Sequence, residues 1–225
     1  MTSWRSDVTA YLRQQAELFG SDFYLEETRV TQLQPCLTLD QLRAQVAVCR
    51  RCALADLRTQ TVFGCGDPAS SLLFVGEAPG EQEDRQGVPF VGRAGQLLNN
   101  LLAEAGIRRS AVYIANVLKC RPPNNRDPLP EEVERCEPYL KQQIALLAPQ
   151  LIVCLGRIAA RTLLKIEATL GAMREQTFRY EGCELVVTYH PSALLRNPGL
   201  QPAARQDFAR IKSFITPTDG ASRGQ

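Results

Sequence analysis

Four short, mostly apolar runs punctuate the chain, at residues 72–75, 112–117, 151–155 and 185–189. Between and after them, apolar residues recur at helical spacing over 93–105, 130–147, 157–164 and 203–215. Uninterrupted apolar strands belong to sheets buried on both faces, and their alternation with helices predicts parallel pairing through helical crossovers. The expected fold class is α/β, a three-layer α/β/α arrangement around a central, mostly parallel, four-stranded sheet. Ahead of the first strand, a short helix from Leu42 is expected to carry Cys49 and Cys52. Trp4, Val8, Tyr11, Leu12 and Phe19 predict an amphipathic helix over 3–19, ended by Gly20. The organisation read from this pattern is an amino-terminal helical extension and linker over 1–40, a single folded domain over 41–215, and a disordered tail over 216–225. The extension is a helix docked on the domain, a loose arm, or the seat of a protein partner.

The strand ends carry the candidate chemistry. The first run stops at Gly76-Glu77-Ala78-Pro79-Gly80, the second delivers Asn116, and the fourth delivers His190, the only histidine of the chain. The third ends in Gly156-Arg157. Ligands of open α/β sheets bind beyond the carboxyl ends of the strands, so these polar groups are expected to converge on one ligand edge. Behind His190, Pro191 should stop the strand and leave Leu194, Leu195 and Arg196 on an exposed loop. An apolar wedge beside a cation is the composition of proteins that push into a DNA stack while holding phosphate. Packed leucines, a structural histidine and an asparagine that merely caps its strand are the plainer readings of the same residues.

Composition narrows the setting. No apolar run reaches the length of a membrane span, and Arg5, Asp7 and Arg13 interrupt the stretch where a secretory signal would need an apolar core, so a cytoplasmic protein is expected. The formal charge is only +2, yet of 26 basic residues only Lys119, Lys141, Lys165 and Lys212 are lysines. Arginine suits bidentate phosphate contacts; a base-composition bias of the genome explains the same skew.

Eight cysteines in a chain without an export signal are ligands or buried thiols rather than a disulfide framework. Cys49 and Cys52 form Cys-x-x-Cys, while Cys120 and Cys136 bracket a loop containing Arg121 and Arg126. Four such thiolates suit a tetrahedral zinc or a [4Fe-4S] cluster, and spacing does not decide between them. Cys154 lies inside an apolar strand and reads as core; Cys36, Cys65 and Cys183 have no partner at ligand spacing.

Taken together, residues 76–80, Gly87-Val88-Pro89-Phe90-Val91-Gly92-Arg93-Ala94-Gly95, 116–123 with Cys120, then Cys136, and 190–196 resemble the family 4 uracil-DNA glycosylases, over roughly residues 46–215. The resemblance implies a DNA repair enzyme that flips uracil out of single- or double-stranded DNA and hydrolyses its N-glycosidic bond, acting as a monomer. It implies a [4Fe-4S] cluster on Cys49, Cys52, Cys120 and Cys136. It implies Phe90 as the stacking aromatic, Asn116 as the base reader, and Leu194 as the wedge. His190 would donate to uracil O2, aided by main-chain N–H groups near Glu77 and Ala78. Glu77 would activate water or balance the sugar's positive charge. Arg121, Arg126 and Arg196 are the expected DNA contacts. Relative to the family 1 enzymes, Ala78 stands where their catalytic aspartate would be, so Glu77 does not simply replace it. The absence of a histidine near the cysteine loop argues against covalent capture of DNA. Two other readings remain: a non-catalytic four-cysteine module that binds DNA, and a glycosylase of the same fold for hypoxanthine or xanthine.

Overall fold

The computed structural model describes residues 35–215. In chain order the elements are α1 (Leu39–Ala47), β1 (Cys65–Gly66), β2 (Leu72–Gly76), α2 (Glu81–Gln86), α3 (Arg93–Glu104), β3 (Tyr113–Asn116), α4 (Pro130–Leu147), β4 (Leu151–Leu155), α5 (Arg157–Leu164), α6 (Leu170–Arg174), β5 (Phe178–Tyr180), β6 (Cys183–Thr188), α7 (Pro191–Arg196) and α8 (Gln201–Ile215). The strands form one sheet in the order β1-β3-β2-β4-β6-β5. The inner four are parallel throughout, with Gly76 opposite Asn116 and Leu155 opposite Thr188.

The sheet has six strands rather than the expected four. β1 and β5 pair antiparallel at its two edges. With two and three residues respectively, they are too short to leave a periodic signal.

Alternation along the inner strands divides the core. Leu73, Val75, Tyr113, Ala115, Ile152, Cys154, Leu185 and Val187 face one side, where they pack with α1, α4 and α5. Leu72, Phe74, Ile114, Val153 and Val186 face the other, against Leu98, Leu101 and Leu102 of α3 and Ala204, Phe208 and Ile211 of α8. Cys154 is the fully buried core residue its strand predicted. Among the described residues no helix is long and apolar enough to cross a membrane.

Two boundaries differ from expectation. Thr38 caps α1 with a reciprocal capping box, its hydroxyl accepting from Gln41 N at 3.2 Å while Gln41 Oε1 accepts from Thr38 N. The helix thus begins ahead of Leu42, at a polar cap. Cys49 and Cys52 lie beyond the end of α1, on the turn that follows it, instead of on the helix. The helix expected over 3–19, its partner-binding role and the tail over 216–225 lie outside the described residues.

Candidate active site

The strand order is that of a doubly wound sheet whose direction reverses between β2 and β4, and the polar strand ends gather at that carboxyl edge. Asn116 ends β3 directly opposite Gly76 and is 2% exposed. Its Oδ1 is buried and finds no hydrogen-bond partner among the described residues. A buried acceptor left without a donor costs about 1–3 kcal/mol, so this atom is set for a donor brought from outside. A Cβ on Gly76 would lie 2.3 Å from that oxygen and 2.8 Å from the Phe90 ring. Only glycine lets the asparagine and the aromatic close over the strand end.

Phe90 holds a left-handed backbone, φ +54°, a conformation that costs a non-glycine residue on the order of 1–3 kcal/mol. The surrounding loop enforces it. Glu83 from α2 accepts from Val91 N at 2.9 Å and Gly92 N at 2.8 Å, and a Cβ on Gly95 would strike the Phe90 carbonyl oxygen at 1.8 Å. The Phe90 ring thereby stands 5.7 Å from the His190 ring, tilted by 40°.

His190 caps α7. Its Nδ1 accepts from Ser192 N at 3.1 Å and lies 2.7 Å from Ser192 Oγ. An acceptor at Nδ1 places the proton of the neutral ring on Nε2. The residue is part-buried. That burial, with the nearby Arg196 cation, lowers His190 to about 4, against the pull of Glu83. The strand before it is pinned: Thr188 Oγ1 donates to Asp207 Oδ2 at 2.6 Å, and Arg174 spans Asp207 and the Tyr189 hydroxyl. Gly156 fits beneath, where a Cβ would come 2.8 Å from that of His190.

Glu77 is half-buried. Burial first, and then the negative charge of Asp127, push its carboxyl from 4.5 up to about 7. Its carbonyl extends the β2–β3 ladder by accepting from Leu118 N at 3.0 Å. Among the described residues neither Glu77 N–H nor Ala78 N–H donates to a main-chain carbonyl outside the strands.

On the other face of the sheet, Cys49, Cys52, Cys120 and Cys136 line one cavity together with Arg51, Arg58, Arg135, Lys119 and Tyr139. Four thiols with four cations around them suit an anionic metal–thiolate group. Arg51 Nε and Nη1 are buried there without partners among the described residues, and Arg58 donates to Cys120 Sγ at 3.2 Å. No three Cys, His, Asp or Glu side chains among the described residues are gathered to hold a single metal ion. Burial pushes the Cys136 thiol up to about 12 and lowers Lys119 to about 8, which the neighbouring sulfurs partly oppose.

The chain has relatives among known proteins. The profile of the uracil DNA glycosylase superfamily matches residues 63–211. The chain belongs to that superfamily. It is 44% identical to a "Type-4 uracil-DNA glycosylase" of Archaeoglobus fulgidus, over 77% of this chain and 92% of the relative. A protein of the same description from Thermotoga maritima is 45% identical, covering 76% and 91%, and one from Sulfurisphaera tokodaii is 42% identical, covering 80% and 86%.

Within this superfamily fold, Glu77, Ala78, Phe90, Asn116 and His190 lie toward one edge of the sheet, and the four cysteines share one cavity. Three expected DNA contacts stand differently. Residues 191–196 form α7 rather than an exposed loop, because Pro191 starts a helix that His190 caps. Leu194 faces inward and is wholly buried in the α3/α8 side of the core, while Leu195 and Arg196 face out. Arg126 is committed to a bidentate pair with buried Glu132, at 2.6 and 2.9 Å. Arg121 is engaged by Asn125 at 2.8 Å and Glu81 at 3.9 Å. Arg196, exposed, makes no ion pair among the described residues.

Sequence reading passed over Glu83, Asp127 and Lys119. Glu83 sits three residues after the glycine that opens α2, a position that marks a helix start, but the helix is too short and polar to show periodicity.

Proposed function

We propose that this chain is a monofunctional uracil-DNA glycosylase that reads a flipped uracil with Asn116 and stabilises the departing base with His190. The observation that carries the assignment is the buried, unpartnered Asn116 Oδ1 beneath Phe90 and beside a neutral His190. Uracil offers N3–H to that oxygen and O4 to the amide N–H of the same side chain, whereas cytosine presents the opposite pattern. Phe90 supplies a stacking face, worth about 1–3 kcal/mol per base. Cleavage sends negative charge to uracil O2. His190 Nε2–H and the N–H groups of Glu77 and Ala78 are the donors for it, as fixed dipoles that need no reorganisation. Glu77, when ionised, balances the sugar cation or takes a proton from the attacking water. The lysine beside these groups, Lys119, is buried with its ammonium held by Asn116 O and Gln143 Oε1 rather than offered as a Schiff-base nucleophile, so an abasic site is left. Incubation with a uracil-containing oligonucleotide, with hypoxanthine and xanthine substrates in parallel, tests the reading: strand scission at uracil only after alkali is expected, and scission without alkali would overturn monofunctional chemistry.

The cysteine cavity is best read as the seat of a [4Fe-4S] cluster on Cys49, Cys52, Cys120 and Cys136, its four surrounding cations offsetting the anionic cluster. When bound, such a group ties the turn after α1 to the loop after β3 and to α4, a structural contribution. Eight cysteines read as metal ligands and buried thiols suit a reducing compartment, here the cytoplasm.

Glu77 sets a pH dependence. Its ionised form is the useful one, so kcat should rise with pH through about 7; Glu77→Gln should flatten that limb, and Asp127→Asn, by removing the neighbouring charge, should move it to lower pH. Burial raises this carboxyl, so its protonated form is the one the fold favours. Its contribution to stability is complete below the unfolded value near 4.5 and is lost as pH rises through about 7. Glu77→Gln should therefore melt above the parent protein at alkaline pH and level with it in acid, as thermal scans would show.

At the rim, Leu195 is the leucine presented to DNA. Leu195→Ala should slow excision from duplex while sparing single strands, in which no stack has to be refilled. Leu194→Ala should instead cost about 2–5 kcal/mol of stability as a core cavity. Arg196→Ala should lower the slope of log affinity against log salt by about one, whereas Arg126→Ala should act on stability, by leaving Glu132 buried and unpaired.

A further inference from the structure

Lys119 lies between the cysteine cavity and the base pocket and is 1% exposed. Its Nζ donates to the main-chain carbonyl of Asn116 at 2.8 Å and to Gln143 Oε1. Its main-chain N–H donates to Cys136 Sγ at 3.2 Å, and its carbonyl accepts from Val62 N at 2.8 Å. Gln143, fully buried, passes the connection on by donating from Nε2 to Phe63 O at 2.9 Å. Asn116 is the last residue of β3, and without this ammonium its buried carbonyl would lose a charged donor, which is costly to leave unreplaced.

We propose that Lys119 is a positioning residue for base reading, one that fixes the end of β3, and hence Asn116 Oδ1, against a frame anchored at Cys136. The proposal rests on the reading of Asn116 as the uracil contact. Lys119 touches no substrate; it acts by setting where the Asn116 amide points. A buried lysine beside cysteine ligands has the plainer role of balancing charge in the cavity. The two roles differ in what its removal does to uracil binding when iron is retained.

The test uses the full chain isolated with its iron, with Lys119→Met, Gln143→Leu and the double variant beside the parent. The readouts are iron content, single-turnover kinetics and inhibition by free uracil. Lys119→Met is expected to keep its iron and lose about 10²-fold in kcat/KM, the scale of a 1 Å misplacement at a reacting site. Weaker inhibition by free uracil should accompany it, since the displaced amide is the group that holds the base. Gln143→Leu, which is no cysteine neighbour in sequence, should weaken uracil inhibition in the same direction. The double variant should be no worse than Lys119→Met, because both residues act through one ammonium. Parent-like uracil inhibition in iron-replete Lys119→Met would overturn the proposal, as would fully additive losses. Loss of iron in both single variants would assign Lys119 to the cavity alone and likewise overturn it. A parent protein that releases no uracil would remove the underlying reading instead.

Discussion

Asn116→Asp is expected to admit cytosine. The parent pocket offers one acceptor and one amide donor to the base edge, and a site built to hydrogen-bond a group rejects an analogue lacking it by about 10⁴–10⁵. At this 2% exposed position an aspartic acid is held toward its neutral form by burial. Its O–H would donate to cytosine N3 and its carbonyl would accept from the exocyclic amine, the reverse of uracil's needs. Discrimination against cytosine should then collapse, with uracil excision falling at the same time. Cytosine activity should fade as pH rises and the acid ionises, because two acceptors cannot serve N3. Single-turnover excision from paired uracil and cytosine oligonucleotides over a pH series checks both points. Unchanged selectivity would mean that Asn116 does not read the base.

His190→Ala should lower kcat by about 10²–10³, the loss typical of one oxyanion-type donor, with little change in KM. The protonation state makes this specific. A histidine lowered to about 4 is neutral when the enzyme works, so the donor is Nε2–H of an uncharged ring. The kcat profile of the parent should accordingly carry no histidine limb between pH 5 and 8, only the rising limb of Glu77. Ser192→Ala removes the hydroxyl at 2.7 Å but keeps the main-chain N–H to Nδ1, so a smaller loss is expected. A kcat that fell with rising pH around 6 and was abolished in His190→Ala would instead point to an imidazolium.

The inner sheet was legible because its strands are buried on both faces, which leaves uninterrupted apolar runs. Glu77, Asn116 and His190 were legible as candidates because they stand at the ends of those runs, where a polar group is conspicuous. What pattern could not convey was direction. Leu194 and Leu195 are adjacent and chemically identical, and only the helix begun by Pro191 determines that the first turns into the core. Arg126 looked available until buried Glu132, six residues on, claimed both of its terminal nitrogens. Lys119 and Glu83 act through hydrogen bonds to main-chain atoms, which leave no compositional trace. The strain at Phe90 was likewise invisible. The cysteines divided by context: Cys154 by its apolar strand, the four candidate ligands by their shared cavity.

The central claim is that this chain removes uracil from DNA by reading it with Asn116 and releasing it with His190. Its most direct test is the amount of free uracil liberated by the iron-loaded protein from an oligonucleotide carrying one uracil, beside oligonucleotides with thymine or cytosine at that position. Stoichiometric release of free uracil alone, leaving an alkali-labile strand, is the predicted result. Tight binding of the uracil strand with no base released would contradict it and leave a DNA-binding module in its place.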